Sequence, residues 1–174
     1  VGGRAAYNVA NLAAAALAAV GLGVAASTVT EVFRRFGEHV ADNPGRMMRF
    51  ARDGVQVLVD YAHNPEGLAG LLDVARSLLA AGGRLGLVLG HAGNREDRAI
   101  ERLAATAAQF APALVVIKEL EGYRRGREPG EVPRILRAAL LRAGLPGEAL
   151  AMQSTVLDAV RCALEWGRPG DVLA

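Results

Sequence analysis

The stretch "VQVLVDYAHNPEGLAGLLDVA", residues 55–75, decides the fold. Residues 55–59 form a short apolar run rich in β-branched side chains, the pattern of an inner strand. From Pro65 onward the apolar residues recur at helical spacing, and the helix is expected to run to about Ala81. The corner between them holds an acid, a phenol, an imidazole and an amide within a few residues: Asp60, Tyr61, His63 and Asn64. Asn64 and Pro65 make a good helix start, since the amide oxygen can cap free backbone N–H groups and proline fits the first helical position. Tyr61 is read as packing beneath the loop.

The same strand-to-helix rhythm repeats downstream. "RLGLVLG" (84–90) precedes a helix over 95–110, "ALVVIKE" (113–119) one over 131–144, and "EALAMQ" (148–153) one over 155–167. "GRPGDVLA" (167–174) reads as the turn into a last strand. Upstream, "MMRFAR" (47–52) and Asp53-Gly54 predict a hairpin leading into 55–60. The fold class is therefore α/β, a Rossmann-like mostly parallel sheet with helices on both faces. A short helical segment comes first: "AAYNVANLAAAALAAVGLG" ends in glycines suited to a C-cap, and Thr28, three residues before Glu31, suggests a capping box. The turn-rich "ADNPGR" (41–46) places a domain boundary near Asn43.

Composition limits the function. The chain has 174 residues, 52% hydrophobic, with a net charge of +2 and 5% aromatics. Mean hydropathy is +0.22 and the pI about 9.1. These values suit a globular core and offer neither the charge nor the stacking surface that nucleic acid requires. The longest apolar stretch is alanine-rich and broken by Gly21 and Gly23, unlike a membrane span. A cytoplasmic protein is expected. Cys162 stands alone at helical apolar spacing and is read as a buried thiol.

In a parallel sheet, ligands bind beyond the carboxyl ends of the strands. Asp60, His63 and His91 fall there, followed by Asn94 and Arg95 in "GHAGNREDR" (90–98) and by Arg124, Arg125 and Arg127 in "ELEGYRRGREPGE" (119–131). A carboxylate at a strand end can take ribose hydroxyls, and an imidazole beside a helix start can meet an anion. Guanidinium groups suit phosphate or carboxylate, although a solvated charge run is their ordinary alternative. His39 is read as structural. Lys118 is the only lysine, and no G-x-x-x-x-G-K-[ST] surrounds it, so a phosphate loop of that kind must come from another segment if ATP is used.

"NPGRMMRF" with "VQVLVDYAHNPEG" resembles the start of the C-terminal domain of the Mur ligase superfamily, ATP-dependent ligases that form amide bonds. "YNVANLAAAALAAVGLGV" is similar to the last helices of that family's central ATPase domain, with Tyr7 where histidine is usual. The resemblance implies that residues 1–42 end the central domain and residues 43–174 form the C-terminal domain. It also implies an acyl phosphate mechanism using ATP and magnesium, with the phosphate loop and most magnesium ligands outside this chain. By motif matching, Asn8, Arg46, Asp60, His63 and Asn64 would handle the nucleotide. His91, Asn94, Arg95, Arg124, Arg125 and Arg127 are left as substrate or phosphate candidates, and Asn94 replaces the aspartate usual in the second loop. "VVIKELEGYRRGREPGEVPRIL" (115–136) is most similar to the cyanophycin synthetases, which attach arginine to aspartate side chains. The implied partners are ATP, an amino acid and a carboxylate acceptor, polyaspartate in that case. No membrane or nucleic acid is implied, and oligomeric state stays open, a homo-oligomer included. Other Mur-type ligases, such as peptidoglycan or folylpolyglutamate ligases, and a non-catalytic nucleotide- or anion-binding module are the alternatives. These 174 residues alone are expected neither to hydrolyse ATP nor to ligate.

Overall fold

The computed structural model describes residues 6–37, 39 and 42–174, without the side chains of Ala6 and Tyr7. The Tyr7 substitution noted above therefore lies outside what is described. The leading helices are α1 (Ala6–Gly21) and α2 (Ala26–Arg35). Helix α1 closes as anticipated: Gly23 takes φ 87°, Gly23 N–H donates to the Val20 carbonyl, and Val24 N–H donates to Ala19. This is the paired closure that a left-handed residue permits. The capping box at Thr28 does not form. Alanine's helix propensity carries α2 back to Ala26, with Ala25 as an N-cap that supplies no side-chain bond. Thr28 thus falls inside the helix, and Glu31 pairs with Arg34 and Arg35 instead.

Strands β1 (Met48–Arg52) and β2 (Val55–Val59) pair antiparallel, with Arg52 opposite Val55. Asp53 and Gly54 both have positive φ, 50° and 79°, the left-handed pair that a two-residue hairpin turn requires. There follow α3 (Pro65–Ser77), β3 (Leu85–Leu89), α4 (Asp97–Gln109), β4 (Leu114–Lys118), α5 (Glu131–Arg142), β5 (Leu150–Gln153), α6 (Val156–Trp166) and β6 (Val172–Leu173). Helix α3 ends before the anticipated Ala81. Its chain turns away to meet the 168–171 turn, where Ala80 N–H donates to the Gly170 carbonyl. Gly83 is needed there, since a Cβ would collide with that carbonyl.

The six strands lie in the order β1-β2-β6-β3-β4-β5, and all pairs but β1–β2 are parallel. The last strand thus fills the centre, between β2 and β3, a placement that element order alone does not reveal. One face is covered by α3, α4 and α5 around Leu58, Leu72, Leu87, Ile100, Ile117 and Leu136, all nearly inaccessible. The other carries α6, whose Ala159 and Ala163 pack on Val55, Leu114 and Val116. Cys162 is partly buried against this second cluster. Because β4 leads to α5 on one face and β5 leads to α6 on the other, the carboxyl ends of β4 and β5 diverge into a topological switch point.

The amino edge of the sheet is closed by one ion pair. Asp171 accepts from Arg84 Nη2 at 2.6 Å and from the backbone N–H groups of Arg84 and Arg168 at 2.8 and 2.9 Å. The Arg84 guanidinium lies 3.9 Å from the centre of the Trp166 ring. Burial pushes the Asp171 carboxyl up, but these donors outweigh it and hold the group below the ordinary carboxylate value of 3.8.

Candidate functional site

Asp60 follows the last residue of β2, at the carboxyl edge, as the strand pattern requires. Its Oδ2 accepts from Met47 N–H at 2.7 Å and its Oδ1 from Ala62 N–H at 2.9 Å. The carboxylate therefore ties the entry to β1 to the loop after β2. Neither Arg46 nor His63 is its partner. The Arg46 guanidinium instead sits 5.2 Å from the Tyr61 ring centre, and the Tyr61 and His63 ring centres are 4.7 Å apart, tilted by 48°. Tyr61 is 62% exposed, which overturns the expectation that it packs beneath the loop. Asn64 caps α3 through Gly67 N–H at 2.7 Å, with Pro65 at the first position. Arg46, Tyr61 and His63 form an exposed cation–aromatic–imidazole row above a fixed backbone, and such a row suits a ligand with a flat ring and negative charge. Asn8 is half-buried on α1.

The loops after β3 and β4 are joined to each other. Gly93 N–H donates to the Tyr123 carbonyl at 2.8 Å, and a Cβ on Gly93 would collide with the Arg124 carbonyl. Arg127 bridges them: Nε donates to Gly93 O at 2.9 Å, Nη2 to Arg95 O at 2.7 Å, and Nη1 to Glu131 at 2.6 Å. Nη2 also pairs with Asp97 at 2.7 Å. With its donors engaged this way, Arg127 holds the loops together, while Asn94, Arg95 and Arg125 are exposed and Arg124 is half-buried. Arg125 takes φ 53°, a left-handed conformation that costs an ordinary side chain energy and is held by the flanking glycine-rich turn. The segment from Glu121 to Pro129 lines a groove of about 500 Å³ that mixes Arg124 and Arg125 with Glu121 and Glu128.

His91 lies on the same edge but is 8% exposed, and its Nδ1 is 2.9 Å from the Ala92 carbonyl. Since a carbonyl only accepts, Nδ1–H is the donor in this contact. His39 contributes a backbone N–H to Asp42. Lys118 ends β4 half-buried, and burial pushes its ammonium below the ordinary 10.5. The sequence had singled it out only for lacking a phosphate loop. Among the described residues, no group of three or more His, Cys, Asp or Glu side chains could hold a metal ion. No helix among them is long and apolar enough to cross a membrane.

Comparison with known proteins gives this geometry a context. Residues 45–174 match the family described as "Mur ligase, glutamate ligase domain". The chain is 33% identical over 175 residues to the UDP-N-acetylmuramoyl-L-alanyl-D-glutamate–2,6-diaminopimelate ligase of Corynebacterium glutamicum, covering 95% of this chain and 31% of the relative. It is 34% identical over 149 residues to cyanophycin synthetase of Synechocystis sp., covering 86% and 16%. A solved diaminopimelate ligase of the same description superposes with a TM-score of 0.61 at 22% identity, covering 96% of this chain and 32% of that one. Folylpolyglutamate synthase of Mycobacterium tuberculosis, solved with ADP and AMPPCP, superposes with a TM-score of 0.55 at 20% identity, covering 86% and 35%. The chain spans about a third or less of the length of these relatives.

Proposed function

The chain belongs to the Mur ligase family of glutamate ligase domains, and from that premise we propose that it is the C-terminal part of an ATP-dependent acid–amino acid ligase. In this reading residues 1–42 complete the preceding ATPase domain, and residues 43–174 close over the nucleotide. The observation that carries it is the Arg46–Tyr61–His63 row, held at the carboxyl edge of β2 by the two bonds to Asp60. Each Asp60 oxygen retains accepting capacity beyond the single N–H it takes, so a ribose hydroxyl can still be held. Asn8 approaches the base, Arg46 and His63 meet the nucleotide, and Asn64 starts the helix that fixes them.

The reaction has two steps. A substrate carboxylate oxygen attacks the γ-phosphorus, the bond to the β-phosphate oxygen breaks, and ADP leaves. The neutral amine of the second substrate then attacks the acyl carbon; the bond to phosphate breaks, inorganic phosphate leaves, and the nitrogen loses a proton to give the amide. Such phosphoryl transfer depends on positioning and electrostatics, which arginines brought in by domain closure can supply. Magnesium would neutralise phosphate charge in this chemistry, and in this reading its ligands and the phosphate loop belong to the preceding domain.

For the second substrate we favour arginine joined to an aspartate side chain. The groove at 121–129 sets Glu121 and Glu128 beside Arg124 and Arg125, a zwitterionic lining suited to an amino acid with its own guanidinium group. The test is ADP release by the full-length polypeptide. Turnover should depend on arginine with polyaspartate; turnover with diaminopimelate and a UDP-muramoyl dipeptide instead would reassign the acceptor and keep the ligase. Absence of turnover with every pair would overturn the ligase reading.

A further inference from the structure

Arg46 stands between two left-handed residues, Gly45 at φ 73° and Met47 at φ 46°. Its own N–H donates to the Asn43 carbonyl at 3.2 Å, closing a turn over 43–46. Strand β1 begins two residues later, where Met48 pairs with Val59 of β2. Gly45 takes its conformation without cost, because it has no Cβ. Met47 does not. An ordinary side chain at φ 46° is strained, and its relaxed state here is extended backbone that would lengthen β1 by one residue.

Two contacts hold Met47 in place. Its side chain packs against the core beneath α3, α4 and α5, and its N–H donates to Asp60 Oδ2 at 2.7 Å. The second contact decides where Arg46 goes, because it acts on the peptide unit that joins Arg46 to Met47. Rotation about φ of Met47 swings that unit and all of the chain before it. With the bond made, the Arg46 guanidinium lies 5.2 Å from the Tyr61 ring centre. The other carboxylate oxygen takes Ala62 N–H at 2.9 Å, between Tyr61 and His63. One carboxylate thus holds both sides of the row, and among the described residues it has no ion-pair partner to draw it away.

We propose that Asp60 is a positioning residue for Arg46: by keeping Met47 left-handed it sets the guanidinium against Tyr61, and part of its contribution to nucleotide binding runs through that arginine. This rests on the ligase reading above for the identity of the ligand, but not for the geometry. It holds whether or not a ribose hydroxyl also reaches the carboxylate. Without the bond, Met47 relaxes to extended backbone and Arg46 leaves the row.

The test is calorimetric titration of variants of the full-length polypeptide with a non-hydrolysable ATP analogue. Asp60→Ala should weaken binding, and the double variant Arg46→Ala/Asp60→Ala should lose less than the product of the two single losses, because the two residues act along one path. Met47→Gly alone should stay within about twofold of the parent, and added to Asp60→Ala it should recover about threefold or more, since glycine holds a left-handed φ without the carboxylate. Glycine gives up the packing of Met47 on the core, so recovery is read in affinity and not in melting temperature. Losses that multiply, or no recovery in Asp60→Ala/Met47→Gly, would overturn the proposal. A second measurement needs no nucleotide. Limited digestion with trypsin, followed by mass spectrometry, should cut after Arg46 about fivefold faster or more in Asp60→Ala than in the parent. Equal rates of that cut would also overturn it. A full-length polypeptide that bound no nucleotide would count against the ligase reading, and the digestion would still decide the placement of Arg46.

Discussion

The Asp60 carboxylate accepts the backbone N–H of Met47 across 2.7 Å, and Met47 itself is held at φ 46°. A non-glycine residue in the left-handed region is strained by about 1–3 kcal/mol, and a charge-assisted bond of this kind can offset it. The position of Arg46, one residue earlier, is thereby coupled to the loop that carries Tyr61 and His63. Asp60 has a structural task as well as any ligand it binds.

Replacing Asp60 by Ala should therefore affect both stability and ATP use. Two backbone donors lose their acceptor, a loss of about 1–3 kcal/mol, and the melting temperature should fall. Thermal melting beside steady-state kinetics of Asp60→Ala would check it; an unchanged melting temperature would show that the bonds to Met47 and Ala62 contribute little.

Arg46 and His63 should behave differently. Both side chains are exposed, so Arg46→Ala and His63→Ala should stay within about 0.5 kcal/mol of the parent in stability. Nucleotide affinity of the full-length polypeptide should fall by roughly five- to a hundredfold for each. Calorimetric titration with a non-hydrolysable ATP analogue would measure this.

Gly93→Ala should open the seam between the second and third loops. A Cβ at that position meets the Arg124 carbonyl, and the backbone must shift to admit it. Amide exchange at Gly93 and Arg127 should quicken, and the 121–129 groove should lose its shape while the sheet stays protected. Unchanged exchange in those loops would refute the interlock.

Asp171 predicts an acid dependence. Its folded value lies below 3.8, so its stabilising contribution is complete above that pH and is lost as pH falls through the folded value. Asp171→Asn should be less stable than the parent at neutral pH, and the gap should narrow as pH drops below about 3.8. Denaturant melts at a series of pH values would record it. A gap independent of pH would mean that charge is not what holds Arg84 and the 168–171 turn.

Much of the fold was legible because period and turn chemistry agreed locally. The Asp53-Gly54 turn, the Asn64-Pro65 helix start and the alternation of apolar strands with helices each carried their own signal. The insertion of β6 between β2 and β3 had none, because strand order depends on which helix covers which face. At the site, sequence placed Asp60, His63 and His91 on one edge correctly but could not foresee their partners. Arg127 read as one of three loop arginines, and only the approach of the 91–95 loop turns it into a tie.

If this chain supplies the closing half of an ATP site in a ligase, the Arg46–Tyr61–His63 row must matter to turnover. Amino-acid-stimulated ADP release by the full-length polypeptide, compared between the parent and His63→Ala at matched melting temperature, tests it most directly. The parent should show robust stimulated release, and the variant a loss of roughly five- to a hundredfold in kcat/KM for ATP. Equal ADP release by both, or no stimulation of the parent by any amino acid, would contradict it.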